Sequence, residues 1–118
     1  MDRTFLLLGA VAAFLAVTLG AFGAHGLRGR LSPEMLAVFE TGVRYHLYHA
    51  LILVALVMGR MSGRLIQTAG WSFVAGIVLF SGSLYALALS GVTILGAVTP
   101  IGGLAFLVGW ACLAFAAI

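Results

Sequence analysis

The sequence predicts an all-α integral membrane protein, one four-helix bundle spanning residues 1–118. Composition is the first reason. The chain is 64% hydrophobic and 8% charged, with a mean hydropathy of +1.23. Soluble domains carry about 25% charged residues, and short chains bury only about two-thirds of their surface. The solvent for most of this surface is therefore lipid. The second reason is pattern. Four continuous apolar runs replace the polar–apolar alternation of barrel strands, and only helices or closed barrels satisfy backbone polar groups in hydrocarbon.

The first run, Phe5 to Ala24, is uncharged and long enough to cross about 30 Å of hydrocarbon as a helix. It exceeds the ~7–15 residues of a signal-peptide core and is read as a retained helix. Ala12, Ala16, Gly20 and Ala24 recur every four residues, a stripe that admits a close neighbour. The second helix, 33–58, opens on Ser32-Pro33, an N-cap followed by a residue suited to the first helical position. Its first half carries Glu40, Arg44, Tyr45, His46, Tyr48 and His49, while Ala50 to Met58 is apolar. The third helix covers about 69–89 after a turn holding Arg60 and Arg64. The fourth, 100–118, begins at Thr99-Pro100, which repeats the cap-plus-proline pattern. It carries a small-residue seam of Gly102, Ala105, Gly109, Cys112 and Ala116.

The net charge is +3 and all six basic residues are arginines, placed singly or in pairs at the ends of apolar runs. That pattern suits interfacial anchoring and offers no continuous basic face for nucleic acid. Cys112, the single cysteine, has no intrachain disulfide partner and reads as a small packing residue. Four spans put Arg3, Arg60 and Arg64 on one side and Arg28, Arg30 and Arg44 on the other; with Glu40 offsetting Arg44, the positive-inside rule favours cytoplasmic termini by one charge.

The same count places the first and third turns on one membrane face. The polar half of helix two is expected at that boundary, with Tyr85 at the same level. Glu40 and Arg44 have the i,i+4 spacing of a helical ion pair, which would neutralise two charges that are costly in a membrane. His46 and His49 lie at i,i+3. Metal ligation with His25, a proton relay and plain interhelical hydrogen bonding all remain open. No H-E-x-x-H pattern, phosphate loop or triad spacing appears, so no metal, cofactor or enzymatic activity is expected. Tyr45, Tyr48 and Tyr85 read as interfacial anchors.

Four motifs together resemble the YgdD/YwdK-like family of small four-helix inner-membrane proteins of unknown function, which has mitochondrial relatives. They are Leu19 to Leu27 (LGAFGAHGL), Phe39 to Leu51 (FETGVRYHLYHAL), Leu79 to Tyr85 (LFSGSLY), and Thr99 to Phe106 with Gly109-Trp110. The resemblance covers nearly the whole chain. It implies that His25, Tyr45, His49, Ser81, Gly82, Tyr85, Thr99 and Pro100 occupy motif positions. Family members often carry Gln at the position of His46, which weighs against a paired-histidine metal site. The resemblance implies no biochemical activity.

Function is accordingly expected to be non-enzymatic, in a bacterial inner (plasma) membrane with lipids around it. The main expectation is an oligomeric binding or transport module for a small polar solute, a proton or a lipid headgroup. Its ligand-binding residues would be His25, Glu40, Arg44, Tyr45, His49 and Tyr85. The alternative is a non-catalytic accessory or scaffold subunit of a larger membrane complex.

Overall fold

A computed structural model describes residues 3–118; residues 1 and 2 of the expected 1–118 domain lie outside it. The chain is all-helical: α1 (Arg3–His25), α2 (Pro33–Met58), α3 (Arg64–Gly76), a π-turn (Ile77–Ser81), α4 (Gly82–Ser90), a 3-10 turn (Thr93–Ala97) and α5 (Thr99–Ala116). From α3 to α4 the chain is one continuous span, so four segments are long and apolar enough to cross a membrane.

Local sequence explains the ends. Ser32 accepts a hydrogen bond from the Met35 amide, and Pro33 follows it into α2, as the cap pattern predicts. The end of α2 is a Schellman motif: Met61 N–H donates to the Leu56 carbonyl and Arg60 N–H to that of Val57. Arg60 takes the left-handed position, φ 55°, where glycine is usual. The third span begins at Arg64, five residues before the expected 69, because its polar first turn is helical as well. Thr99 departs from expectation. Its hydroxyl does not cap α5 but pairs with the Ser83 hydroxyl at 2.6 Å, tying α4 to α5.

Packing follows a chain of neighbours. α1 lies along α2, α2 along the third span, and the third span along α5. The buried face of α2 is a heptad seam of Phe39, Gly42, His46, His49, Leu53 and Leu56, spaced three and four residues apart. In α1 the buried positions are Phe5, Gly9, Ala16 and Gly23, not the expected stripe of four. Gly9 faces Leu53, Gly20 faces Val43 and Gly23 faces Phe39, so α1 and α2 run antiparallel in one constant register. Third span and α5 keep another: Phe73 lies on Gly109, Phe106 on Gly76, and the Phe80 backbone on Gly102.

In the third span the seam runs Ile66, Ala69, Phe73, Gly76 and then Ser81, Leu84, Ala88. The step of five at the π-turn inserts one residue, and Gly82 N–H donates to the Ile77 carbonyl, five residues back. Fully buried Ser81 donates to the Gly42 carbonyl at 2.7 Å, joining the turn to α2.

Gly102 approaches backbone rather than a movable side chain, whereas a Cβ at Gly82 would meet nothing within 4 Å. Gly102→Ala is expected to lower stability by about 1–3 kcal/mol through overpacking. Gly82→Ala in the same detergent is expected to leave the unfolding midpoint unchanged or raise it. Equal midpoints for the two variants would refute this register of α5.

Candidate functional site

Register fixes depth. Level with α1's apolar run of Phe5 to Ala24 lie α2 residues 38 to 57, so the polar half of α2 enters the hydrocarbon zone. Tyr48 is level with Phe14 and Leu15 at the middle of that run, and Tyr45 with Val17. These tyrosines lie level with the middle stretch of α1's apolar run, deeper along the bundle than their type suggested. His25 is level with Ala37, twelve residues and about 18 Å along the axis from His49. The expected polar end is therefore an axial series of separate groups.

The structure divides the six expected ligand-binding residues as follows. His25 is exposed at the end of α1. Glu40 and Arg44 are exposed and line a shallow depression with Gly20 and Gly23. They form no ion pair with each other among the described residues, contrary to the helical pairing their spacing suggested. Tyr85 points into the bundle, where its hydroxyl lies 2.8 Å from His46 Nδ1. Only Tyr45 and His49 share a site.

That site is a groove of about 800 Å³ between α2 and α5, open toward the lipid. Tyr45, Tyr48 and His49 form one wall, Phe80 the floor, and Pro100, Gly103, Leu104, Phe106, Leu107 and Trp110 the other wall. Its α5 wall runs ten residue steps from Pro100 to Trp110, about 15 Å, or half the hydrocarbon thickness. It starts at the face holding the first and third turns and ends near the midplane. Sequence reading missed Phe80, Phe106 and Trp110 as site residues. The readable signal was the pair Phe106 and Trp110, one turn apart on α5.

His49 anchors the groove's deep end. Its ring stacks on Phe106 with centroids 3.7 Å apart and planes 7° apart. Nδ1 lies 2.6 Å from the Tyr45 carbonyl, and Nε2 accepts from the Trp110 indole N–H at 3.1 Å. A carbonyl only accepts and an indole N–H only donates, so these partners specify the neutral imidazole protonated on Nδ1. His46 Nδ1 lies 2.8 Å from the Tyr85 hydroxyl, which can donate or accept, so this contact fits either neutral form. The two histidines thus serve as interhelical ties, His46 to Tyr85 and His49 to Trp110. Among the described residues no three His, Cys, Asp or Glu side chains converge.

Two polar atoms in the groove lack partners. The hydroxyls of Tyr45 and Tyr48 make no hydrogen bond among the described residues. Their rings touch edge-on at 5.8 Å. Tyr45 also packs on Phe80, with centroids 4.8 Å apart.

The His49 tautomer can be checked directly. Nitrogen-15 spectra of histidine-labelled protein are expected to show His49 protonated on Nδ1. Trp110→Phe should shift only the His49 Nε2 resonance and lower stability by about 1 kcal/mol, the net worth of a hydrogen bond. A His49 ring protonated on Nε2 would rule out this network.

Comparison with known proteins adds the following. Residues 19–103 match the family model described as "Protein of unknown function (DUF423)". The chain is 52% identical over 119 residues to UPF0382 membrane protein YwdK of Bacillus subtilis, covering 98% of this chain and 97% of that one. It is 50% identical to a UPF0382 membrane protein of Staphylococcus epidermidis over 117 residues, covering 97% of this chain and 94% of the relative. A Staphylococcus aureus UPF0382 membrane protein is 47% identical with the same coverage. No solved structure matches.

Proposed function

The chain belongs to the DUF423 family of membrane proteins of unknown function, and on that premise we propose that it is a non-enzymatic binding module for a membrane amphiphile. The ligand's apolar chain would lie in the groove between α2 and α5. The observation that carries this reading is the groove itself: one leaflet deep, open sideways to lipid, and lined almost wholly by apolar and aromatic side chains. Apolar clefts of roughly 300–1,000 Å³ with a few polar groups are the usual form of small-ligand sites. This refines the expectation of a polar-solute or proton module. His46, His49, Ser81, Ser83 and Thr99 each have a hydrogen-bond partner within the bundle, so they support a bundle held together by hydrogen bonds more than a polar path. The proposed setting is the bacterial plasma membrane with cytoplasmic termini, supported by Arg3, Arg60 and Arg64 against Arg28 and Arg30.

A photoactivatable fatty-acyl phospholipid is expected to label the groove, with cross-links on Leu104 and Leu107. A Cβ at Gly103 meets only the Phe80 ring edge, at 3.9 Å, so Gly103→Phe can fill the groove without disturbing the bundle. That variant should cut labelling several-fold. Undiminished labelling of Gly103→Phe would refute the groove as the binding site.

A second observation supports self-association, and with it the scaffold alternative. Arg44 is level with Thr18, about 9 Å inside the end of α1's apolar run, and Glu40 lies nearer that end. Both are exposed, so each needs a counter-charge from outside the protomer. A two-fold axis along the membrane normal would set each Glu40 against the other copy's Arg44, over the small residues Gly20 and Gly23. Arg44→Glu is expected to abolish cross-linked dimer in membranes, and the swap E40R/R44E to restore it. Dimer that survives Arg44→Glu would eliminate this interface.

A further inference from the structure

From the polar atoms of the groove we infer the ligand class: an isoprenoid quinone, its ring at the deep end against Tyr45 and Tyr48 and its tail running toward lipid. This rests on the amphiphile-binding reading above and narrows it. Three features of the groove define what it would recognise.

The first is charge. No cation or anion lines the groove, and Arg44 faces the separate depression shared with α1. A phosphate or ammonium group at this depth would have no counter-charge, so the deep end suits a neutral group. The second is the kind of polar atom on offer. The Trp110 N–H and both His49 nitrogens are already engaged. The free groups are the hydroxyls of Tyr45 and Tyr48, level with the middle of the hydrocarbon. A phenol there, surrounded by lipid alone, forgoes its hydrogen bond. Two adjacent donors call for acceptors within an otherwise apolar frame, which ring carbonyls provide. The third is shape. Tyr45 lies nearly parallel to His49 and Phe106, with planes 14° and 21° apart, so the groove presents aligned flat faces. A planar conjugated ring stacks on such faces, whereas an acyl chain gains nothing from their alignment.

A neutral, flat, carbonyl-bearing ring on a long apolar tail is the chemistry of membrane benzoquinones and naphthoquinones. The groove's volume of about 800 Å³ holds such a ring together with the first part of its tail. The proposal concerns binding and involves no electron transfer.

The test uses the full chain in phosphatidylcholine nanodiscs. Trp71 contacts Phe5 away from the groove, so a Trp71→Phe background leaves Trp110 as the only indole. A short-chain benzoquinone is expected to quench Trp110 fluorescence saturably. The probe for tail-only binding is an isoprenoid alcohol with the same tail and no ring. The double variant Tyr45→Phe, Tyr48→Phe should weaken quinone binding about tenfold, the effect of two modest hydrogen bonds. The same variant should bind the isoprenoid alcohol as before, and this also reports that it is folded. If the double variant binds quinone normally, or if the alcohol displaces quinone at equal concentration, ring recognition is overturned while the amphiphile reading stands. If quenching never saturates and the photoactivatable phospholipid also fails to label the groove, both readings fall.

Discussion

The fold depends on rings seated on glycines. In lipid, burying apolar surface does little to bring helices together, because the tails are as apolar as the side chains. Short-range dispersion and hydrogen bonds remain, and both require close approach. Phe5 lies on Gly70, Phe39 on Gly23, Phe73 on Gly109 and Phe106 on Gly76. Phe5, Phe39 and Phe73 are completely buried by these contacts. Each ring occupies space where any Cβ would stand, so a shift of one residue between two spans would bring side chains against most of these faces. Register along the third span and α5 is set by steric necessity at several points at once.

That register also brings the polar groups together. Once Phe73, Phe80 and Phe106 hold α5 in place, Ser83 meets Thr99 and Trp110 meets His49 without further adjustment. No buried side-chain nitrogen or oxygen among the described residues is left unpaired. This completeness explains why the histidines behave as ties. An imidazole with one acceptor partner and one donor partner has a single satisfied neutral form. The unpartnered phenols of Tyr45 and Tyr48 stand out against this background, and they face the groove of about 800 Å³.

Much of this was legible in the sequence. Four spans followed from composition, and Ser32-Pro33 marked the start of α2 correctly. The i,i+3 spacing of His46 and His49 pointed to one helix face, and both lie in the buried seam of α2. Depth was less legible. Glu40, Arg44 and the tyrosines read as boundary residues because polar groups normally sit there. Their level is set instead by the pairing of Gly9 with Leu53 and Gly23 with Phe39, which no single helix encodes. Thr99-Pro100 failed for a related reason. It has the letters of a cap, but a tertiary partner, Ser83, takes the hydroxyl.

The π-turn links the fold to the groove. Continuing the seam of α3 from Gly76 by an ordinary step of four would bury position 80. The inserted residue rotates the rest of the span by about 100° and buries Ser81 instead. Ser81 then reaches the Gly42 carbonyl and fastens the third span to α2. Phe80, displaced from the seam, becomes the floor of the groove beneath Tyr45. A regular α-helix with this sequence would turn a hydroxyl toward lipid and a phenyl ring toward the α2 backbone, forfeiting the hydrogen bond. It would also remove the surface on which Tyr45 rests. The irregular turn therefore does two things with one residue: it closes the bundle on Ser81 and builds the groove on Phe80.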